Sequence, residues 1–271
     1  MSNLLMRILT AFVLAVITLC VTWEGGFLFA LFAWCIGVLV LVEWMGITKE
    51  YWQKIHKISV GVAYVGIGIL LVLDYSAPLV FTAIFLFAVI LALLSLRQAG
   101  WVAGGFLYAA LPVASMTYIR GEEPFGFGAI IFLFAIVWGT DIAAYFNGRS
   151  LGGPKLAPTF SPNKTWSGAI GGALAGTAGG VLVAFFVLNT TPANLFIPFL
   201  ALALSIISQI GDIFESWVKR KFAVKDSGHL LPGHGGFMDR VDGLVFAAVF
   251  LYIVGAIVAD MTVPSNMFNL I

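Results

Sequence analysis

Charge is what this sequence has least of. Only 10% of its 271 residues are Asp, Glu, Lys or Arg, against roughly 25% in a soluble domain. With 61% hydrophobic residues, its mean hydropathy reaches +1.04. Water is thereby excluded as the main solvent of the folded chain. The net charge of +1 argues against a strongly basic nucleic-acid binder and leaves nucleotides and lipids open as partners. Cysteine is nearly absent: Cys20 and Cys35 sit in apolar runs without CxxC or metal-ligand spacing. They are expected to be small buried hydrophobes rather than parts of a disulfide framework. Also missing are a GxxxxGK[ST] phosphate loop, a GxGxxG fingerprint and a GxSxG elbow, which removes the commonest soluble nucleotide and hydrolase signatures.

What the chain does have is long apolar runs, each meeting the roughly 20 residues that a hydrocarbon core demands of a spanning helix. Runs near 4–23, 26–47, 56–73, 78–96, 100–118, 126–147, 167–188, 193–211 and 243–263 predict an all-α, polytopic transmembrane protein with about nine spans. The first run carries Arg7 but no small-residue cleavage site after it, so a retained span is expected rather than a signal peptide. Of the 14 Lys and Arg residues, only Arg120 falls on the side opposite the rest under this span count. The positive-inside rule then puts the N-terminus in the cytoplasm. His56, in a basic juxtamembrane stretch, is read as interfacial. Gly168, Gly172, Gly176 and Gly180 recur every fourth residue, a small-residue stripe suited to close helix packing in lipid. With no repeat or linker apparent, the whole chain, 1–271, is read as a single polytopic membrane domain.

Two polar stretches on the expected cytoplasmic side interrupt this pattern. Residues 147–166, NGRSLGGPKLAPTFSPNKTW, read as a Gly- and Pro-rich loop. Its Arg149, Lys155 and Lys164 suit phosphate oxygens, or merely set topology. Residues 208–242 are more specific. If the eighth span continues as a helix, Ser208, Asp212, Glu215 and Lys219 form one continuous stripe, which needs a wet or protein-lined face because a lipid-facing carboxylate costs roughly 2.5–3.5 kcal/mol at full depth. Asp239 and Asp242, at i and i+3, open the ninth span. Alone they would cap a helix. With Asp212, Glu215 and several basic residues close in sequence, hard-oxygen ligation of Mg²⁺ or Mn²⁺ is the better reading. Asp141, in an apolar run, is a further functional candidate, or the buried partner of a basic residue. His229 and His234 lack zinc spacing; His234 between glycines can donate to a phosphate or be a plain loop histidine.

At these residues the chain resembles the phosphatidate cytidylyltransferases, or CDP-diacylglycerol synthases. Ser216, Lys219-Arg220, Lys225-Asp226, Pro232, His234-Gly235-Gly236, Asp239-Arg240 and Asp242 match the family signature at its spacing. Lys155-Leu156 and Ser161 to Trp166 match a second run, with Ser167 standing where a larger polar residue, often Glu, is expected. The likeness covers about 130–245, the expected catalytic region, whereas the first hundred residues resemble the family only in hydropathy.

The resemblance implies transfer of the cytidylyl group of CTP to phosphatidate, giving CDP-diacylglycerol and pyrophosphate for phospholipid biosynthesis. Asp212, Asp239 and Asp242 would hold one or two Mg²⁺ or Mn²⁺ ions, with Asp141 a further ligand or a group behind the ligands and a monovalent cation an additional candidate. Lys219, Arg220, Lys225 and Arg240 would hold phosphates, helped by Lys164, Ser161, Thr165 and His234. Asp226 would orient a neighbouring Lys or Arg. The expected site lies at the cytoplasmic face of a cytoplasmic or inner membrane, where CTP arrives from water and phosphatidate from lipid, and the glycine stripe together with the resemblance suggests a homodimer. Rival readings are a transporter, which would bind near the midplane and show repeat symmetry, a membrane lipid kinase, which would release a nucleoside diphosphate, and a purely structural membrane protein.

Overall fold

The computed structural model describes residues 3–190, 195–228 and 235–270. Among them run α1 (Asn3–Glu24), α2 (Gly26–Ile47), α3 (Lys54–Val72), α4 (Ala77–Ser95), α5 (Ala99–Arg120), α6 (Pro124–Leu151), β1 (Lys155–Ala157), β2 (Ser161–Thr165), α7 (Trp166–Phe186), α8 (Phe196–Lys221), α9 (Met238–Val258) and a short α10 (Met267–Leu270). Each expected span overlaps one of the helices α1 to α9, with α8 running on to Lys221 and α9 beginning earlier and ending sooner than expected. Seven stretches among the described residues are long and apolar enough to cross a membrane. One of them, Ala77–Arg120, runs through both α4 and α5, and Leu9–Glu24 within α1 is a shorter apolar helix. A continuous helix of that combined length would be about 66 Å long, twice a hydrocarbon core. The run is broken at Leu96, whose φ of 41° no right-handed helix accommodates. The chain is thus an all-α membrane protein, with a single two-stranded hairpin among its described residues.

Two compact units are present, Met1–Tyr118 with Phe222–Val241, and Ile119–Lys221 with Asp242–Ile271. In the first, buried indoles tie helices together: Trp34 Nε1 donates to Tyr64 O at 3.0 Å and Trp44 Nε1 to Trp101 O at 2.9 Å. Gly68 lies against the Trp34 ring and Gly105 against the Trp44 ring so closely that neither position has room for a Cβ. In the second unit the glycine stripe of α7 is buried against α6. A Cβ on Gly168, Gly172 or Gly176 would lie 2.8 Å from the carbonyl oxygen of Ala144, Thr140 or Ile136. The stripe therefore brings α6 and α7 together within one chain, and a second copy of the protein would have to use another face. Thr140 and Ser205 hydroxyls share a buried 2.6 Å hydrogen bond beside Gly176, linking α6 to α8.

Large apolar side chains such as Val62, Leu93, Leu174, Phe186 and Ile257 are exposed, as expected where acyl chains rather than water are the solvent. Two expectations are corrected. Cys20 and Cys35 are unbridged, as expected, but exposed on their helices rather than buried. His56, in the first turn of α3, is buried within the protein, its Nδ1 3.2 Å from Tyr51 O. Residues 147–166 are not one loop, because α6 runs on to Leu151 and residues 155–165 form the hairpin. A turn with Pro158 at its second position closes that hairpin, Phe160 N–H donating to Ala157 O at 3.2 Å, as type I and II turns favour.

Overpacking a close helix crossing costs about 1–3 kcal/mol or more. Gly176→Leu is expected to lower the thermal midpoint of the detergent-solubilised protein strongly, by roughly 5 °C or more, whereas Gly100→Ala, at a glycine facing open space, leaves it nearly unchanged. Unfolding followed by tryptophan fluorescence separates the two.

Candidate active site

Within the second unit, the hairpin lies against α8 and so meets the α8 part of the second polar stretch. Lys164, on β2, forms an ion pair with Asp212 on α8, and the exposed Arg220 donates Nε to Phe160 O at the hairpin turn, 3.2 Å away. Thr165 caps α7, its hydroxyl accepting from Gly168 N–H at 3.1 Å. Ser167 donates to Gly152 O and lies 3.0 Å from Thr165 Oγ1, so it fastens the chain ahead of the hairpin to the start of α7. Ser161 is half-buried at the start of β2.

The stripe expected on the eighth span is realised, because α8 continues as helix through Lys221. Ser208 and Glu215 are buried, and Asp212 and Lys219 half-buried. Glycines then permit α8 and the part of α9 in this unit to approach very closely: a Cβ on Gly211 would lie 2.6 Å from Asp242 O, and one on Gly243 3.1 Å from Ser208 O. This approach sets Asp242 beside the stripe. One carboxylate oxygen each from Asp212, Glu215 and Asp242 lie within 4.8 Å of one another.

Three carboxylates at this separation repel one another, and the chain answers with cations. Lys219 Nζ is 2.8 Å from the fully buried Glu215 carboxylate, one helical turn away, and Lys164 pairs with Asp212. The donor set is all oxygen, without His or Cys, which suits a hard divalent ion. Glu215, to which the sequence assigned no role, belongs to this group. Asp141 stands outside it on an exposed position of α6.

Asp239 lies in the first unit, where its Oδ2 accepts from Ser227 N–H at 2.9 Å, Gly236 N–H at 3.0 Å and the Ser227 hydroxyl at 2.9 Å. Lys225, Asp226 and Arg240 are exposed. His229, Pro232 and His234 lie outside the described residues. A further carboxylate, Glu43 on α2, is 4% exposed and accepts hydrogen bonds from Ser227, Phe237 and Met238. Sequence reasoning missed it, although a lone acid in an otherwise apolar span is itself a signal.

The fold and this site define a polytopic helical membrane protein with a cluster of carboxylates and lysines among its helices and hairpin. The comparisons make the class particular. A family model described as the cytidylyltransferase family matches residues 5–258. The phosphatidate cytidylyltransferase of Brucella suis biovar 1 (strain 1330) is 54% identical over 269 residues, covering 99% of each chain. That of Bacillus subtilis (strain 168) is 32% identical over 278 residues, covering 93% of this chain and 97% of its own. The chain belongs to the cytidylyltransferase family. The match also reaches into the first hundred residues, beyond the hydropathy likeness expected there, and takes in Glu43.

Removing one ligand from a three-carboxylate site should cost at least the roughly tenfold in affinity seen for outer supporting groups. In Mn²⁺ titrations followed by electron paramagnetic resonance, Asp242→Asn and Asp212→Asn are expected to weaken binding by about tenfold or more. Unchanged binding in both would remove this group as a metal centre.

Proposed function

We propose that this chain transfers the cytidylyl group of CTP to phosphatidate, forming CDP-diacylglycerol and pyrophosphate in phospholipid biosynthesis. The observation that carries this reading is the near-full-length match to phosphatidate cytidylyltransferases. The group of Asp212, Glu215 and Asp242 with Lys164 and Lys219 supplies the kind of charge the reaction needs.

In this reading a phosphate oxygen of phosphatidate attacks the α-phosphorus of CTP. The new P–O bond forms as the bond to the bridging oxygen of the β-phosphate breaks, and pyrophosphate leaves with that electron pair. No general base is required, because a phosphomonoester is already anionic near neutral pH. The protein's task is to align two polyanions and offset their charge. Asp212, Glu215 and Asp242 would hold one or two Mg²⁺ or Mn²⁺ ions, with Asp141 behind them. A bound divalent ion supplies charge neutralisation for the triphosphate and its leaving group.

Lys219 and Lys164 sit on these carboxylates, and their long side chains can turn to phosphate oxygens. Arg220, Lys225, Arg240 and His234 are assigned to phosphates as well, with Ser161 offering a hydroxyl. Thr165 is given to capping, and Asp239 to ordering the chain around Ser227 and Gly236. The reacting region is 130–245, facing the cytoplasm, where CTP enters from water and phosphatidate keeps its acyl chains in lipid. The homodimer implied by the family likeness would use a face other than the covered glycine stripe of α7.

The test is product analysis with purified protein in detergent, phosphatidate, Mg²⁺ and CTP labelled at the α-phosphate. Label is expected in a chloroform-soluble lipid, lost on chelation and reduced by about a hundredfold or more in Asp242→Asn, as for loss of one strong electrostatic group. A kinase would leave the α-label in the aqueous phase as a nucleoside diphosphate. No labelled lipid across several phosphatidates and metals would end the cytidylyl-transfer assignment.

A further inference from the structure

An ionisable group inside an apolar helix persists only where the protein supplies partners. Glu43 lies near the end of α2 and has both oxygens engaged. Its Oε1 accepts from Phe237 N–H at 2.8 Å, and its Oε2 accepts from Met238 N–H at 2.7 Å and the Ser227 hydroxyl at 2.8 Å. Phe237 and Met238 stand at the beginning of α9, where backbone N–H groups have no partner within the helix and a negative charge is favoured.

Ser227 connects this carboxylate to a second one. Its Oγ is 2.8 Å from Glu43 Oε2 and 2.9 Å from Asp239 Oδ2, and its backbone N–H also goes to Asp239. A hydroxyl has one proton, which serves one carboxylate at a time, so Glu43, Ser227 and Asp239 act as one unit. The space is shaped for it. A Cβ on Gly228 would lie 2.5 Å from Glu43 Oε1, and one on Gly236 would overlap Ser227 Oγ and lie 2.7 Å from Glu43 Oε2. The chain wraps the carboxylate more closely than any side chain at these two positions permits.

We propose that Glu43 is a positioning residue for the transfer, holding Ser227–Gly228 and Gly236–Met238 so that Asp239 and the adjacent Arg240 are presented in one fixed arrangement. The proposal rests on the cytidylyl-transfer reading for its catalytic half. The holding half stands on the hydrogen bonds alone. Glu43 itself is buried, with its oxygens taken by these segments.

The informative variant is Glu43→Gln, which keeps shape and one acceptor but turns an amide N–H₂ toward the donors of Met238 and Ser227 or of Phe237. Hydrogen–deuterium exchange of the Ser227 and Gly236–Met238 amides is expected to accelerate by about tenfold or more, since a hydrogen bond to a charged group is of the size that gives this factor. Exchange in α8 stays as in the wild type. The kcat for labelled lipid should fall by about ten- to a hundredfold, the scale of a small misplacement, while Mn²⁺ affinity at the Asp212, Glu215 and Asp242 group is retained. Glu43→Asp, which keeps the charge but is one methylene shorter, should fall between. Adding Ser227→Ala to Glu43→Gln should cost less than the product of the two single effects.

Wild-type exchange at these amides in Glu43→Gln would overturn the proposal, as would accelerated exchange with an unchanged kcat, or a loss of activity that only tracks loss of folded protein. Should Glu43→Gln not fold, Glu43→Asp and Ser227→Ala carry the same readouts. A wild type that makes no labelled lipid overturns the transfer reading and the catalytic half together, and the exchange measurement then still decides whether Glu43 holds the segment.

Discussion

A carboxylate inside an apolar helix bundle must be met by donors or by cations, because the desolvation cost of an unanswered charge is several kcal/mol. This constraint organises both polar centres of the chain. Glu43 is met by two backbone N–H groups and a hydroxyl, and the group of Asp212, Glu215 and Asp242 by Lys164 and Lys219. Neither arrangement is available to a bundle packed at ordinary side-chain distances. Gly228 and Gly236 let the chain close over Glu43, and Gly211 and Gly243 let α9 approach α8.

Glycine thus has two different tasks in one protein. Along α7 it shortens a helix–helix distance so that α6 and α7 gain van der Waals contact, which in lipid must replace the hydrophobic driving force. At Gly211 and Gly243 the same property brings an acid on one helix within reach of acids on the next. The first use strengthens packing. The second brings like charges together, which is tolerable where cations compensate and useful where a cation is to be bound.

The helices were legible in the sequence because length and hydropathy alone demand them, and the stripe on α8 because helical spacing places Ser208, Asp212, Glu215 and Lys219 on one face whatever the rest of the fold does. The i, i+3 spacing of Asp239 and Asp242 was also legible, but not their separate surroundings. Asp242 joins the acids of α8, while one oxygen of Asp239 is taken by donors of Ser227 and Gly236. Chain spacing does not say which donors the segment before a helix will offer. Glu43 was harder, since its partners are 184 to 195 residues away along the chain. The hairpin escaped notice because strands of three and five residues carry too short a pattern to read among glycines and prolines.

The kind of partner each carboxylate receives bears on what it can do. Backbone N–H groups are fixed to the chain and turn away from Glu43 only if the chain at the start of α9 moves with them, so that carboxylate is committed to holding structure. Lysine ammonium groups are carried on flexible stems with high rotamer freedom, and Lys164 and Lys219 can exchange a carboxylate for a phosphate oxygen by rotation about side-chain bonds. On the proposed reading, Asp212, Glu215 and Asp242 would hold a divalent ion, which would supply charge neutralisation, while Lys164 and Lys219 would turn to the phosphates of a nucleotide. Every charge then stays compensated through the exchange, which a low-dielectric site requires. A site built on arginine forks or backbone donors would hold the same phosphate groups in a more rigid geometry.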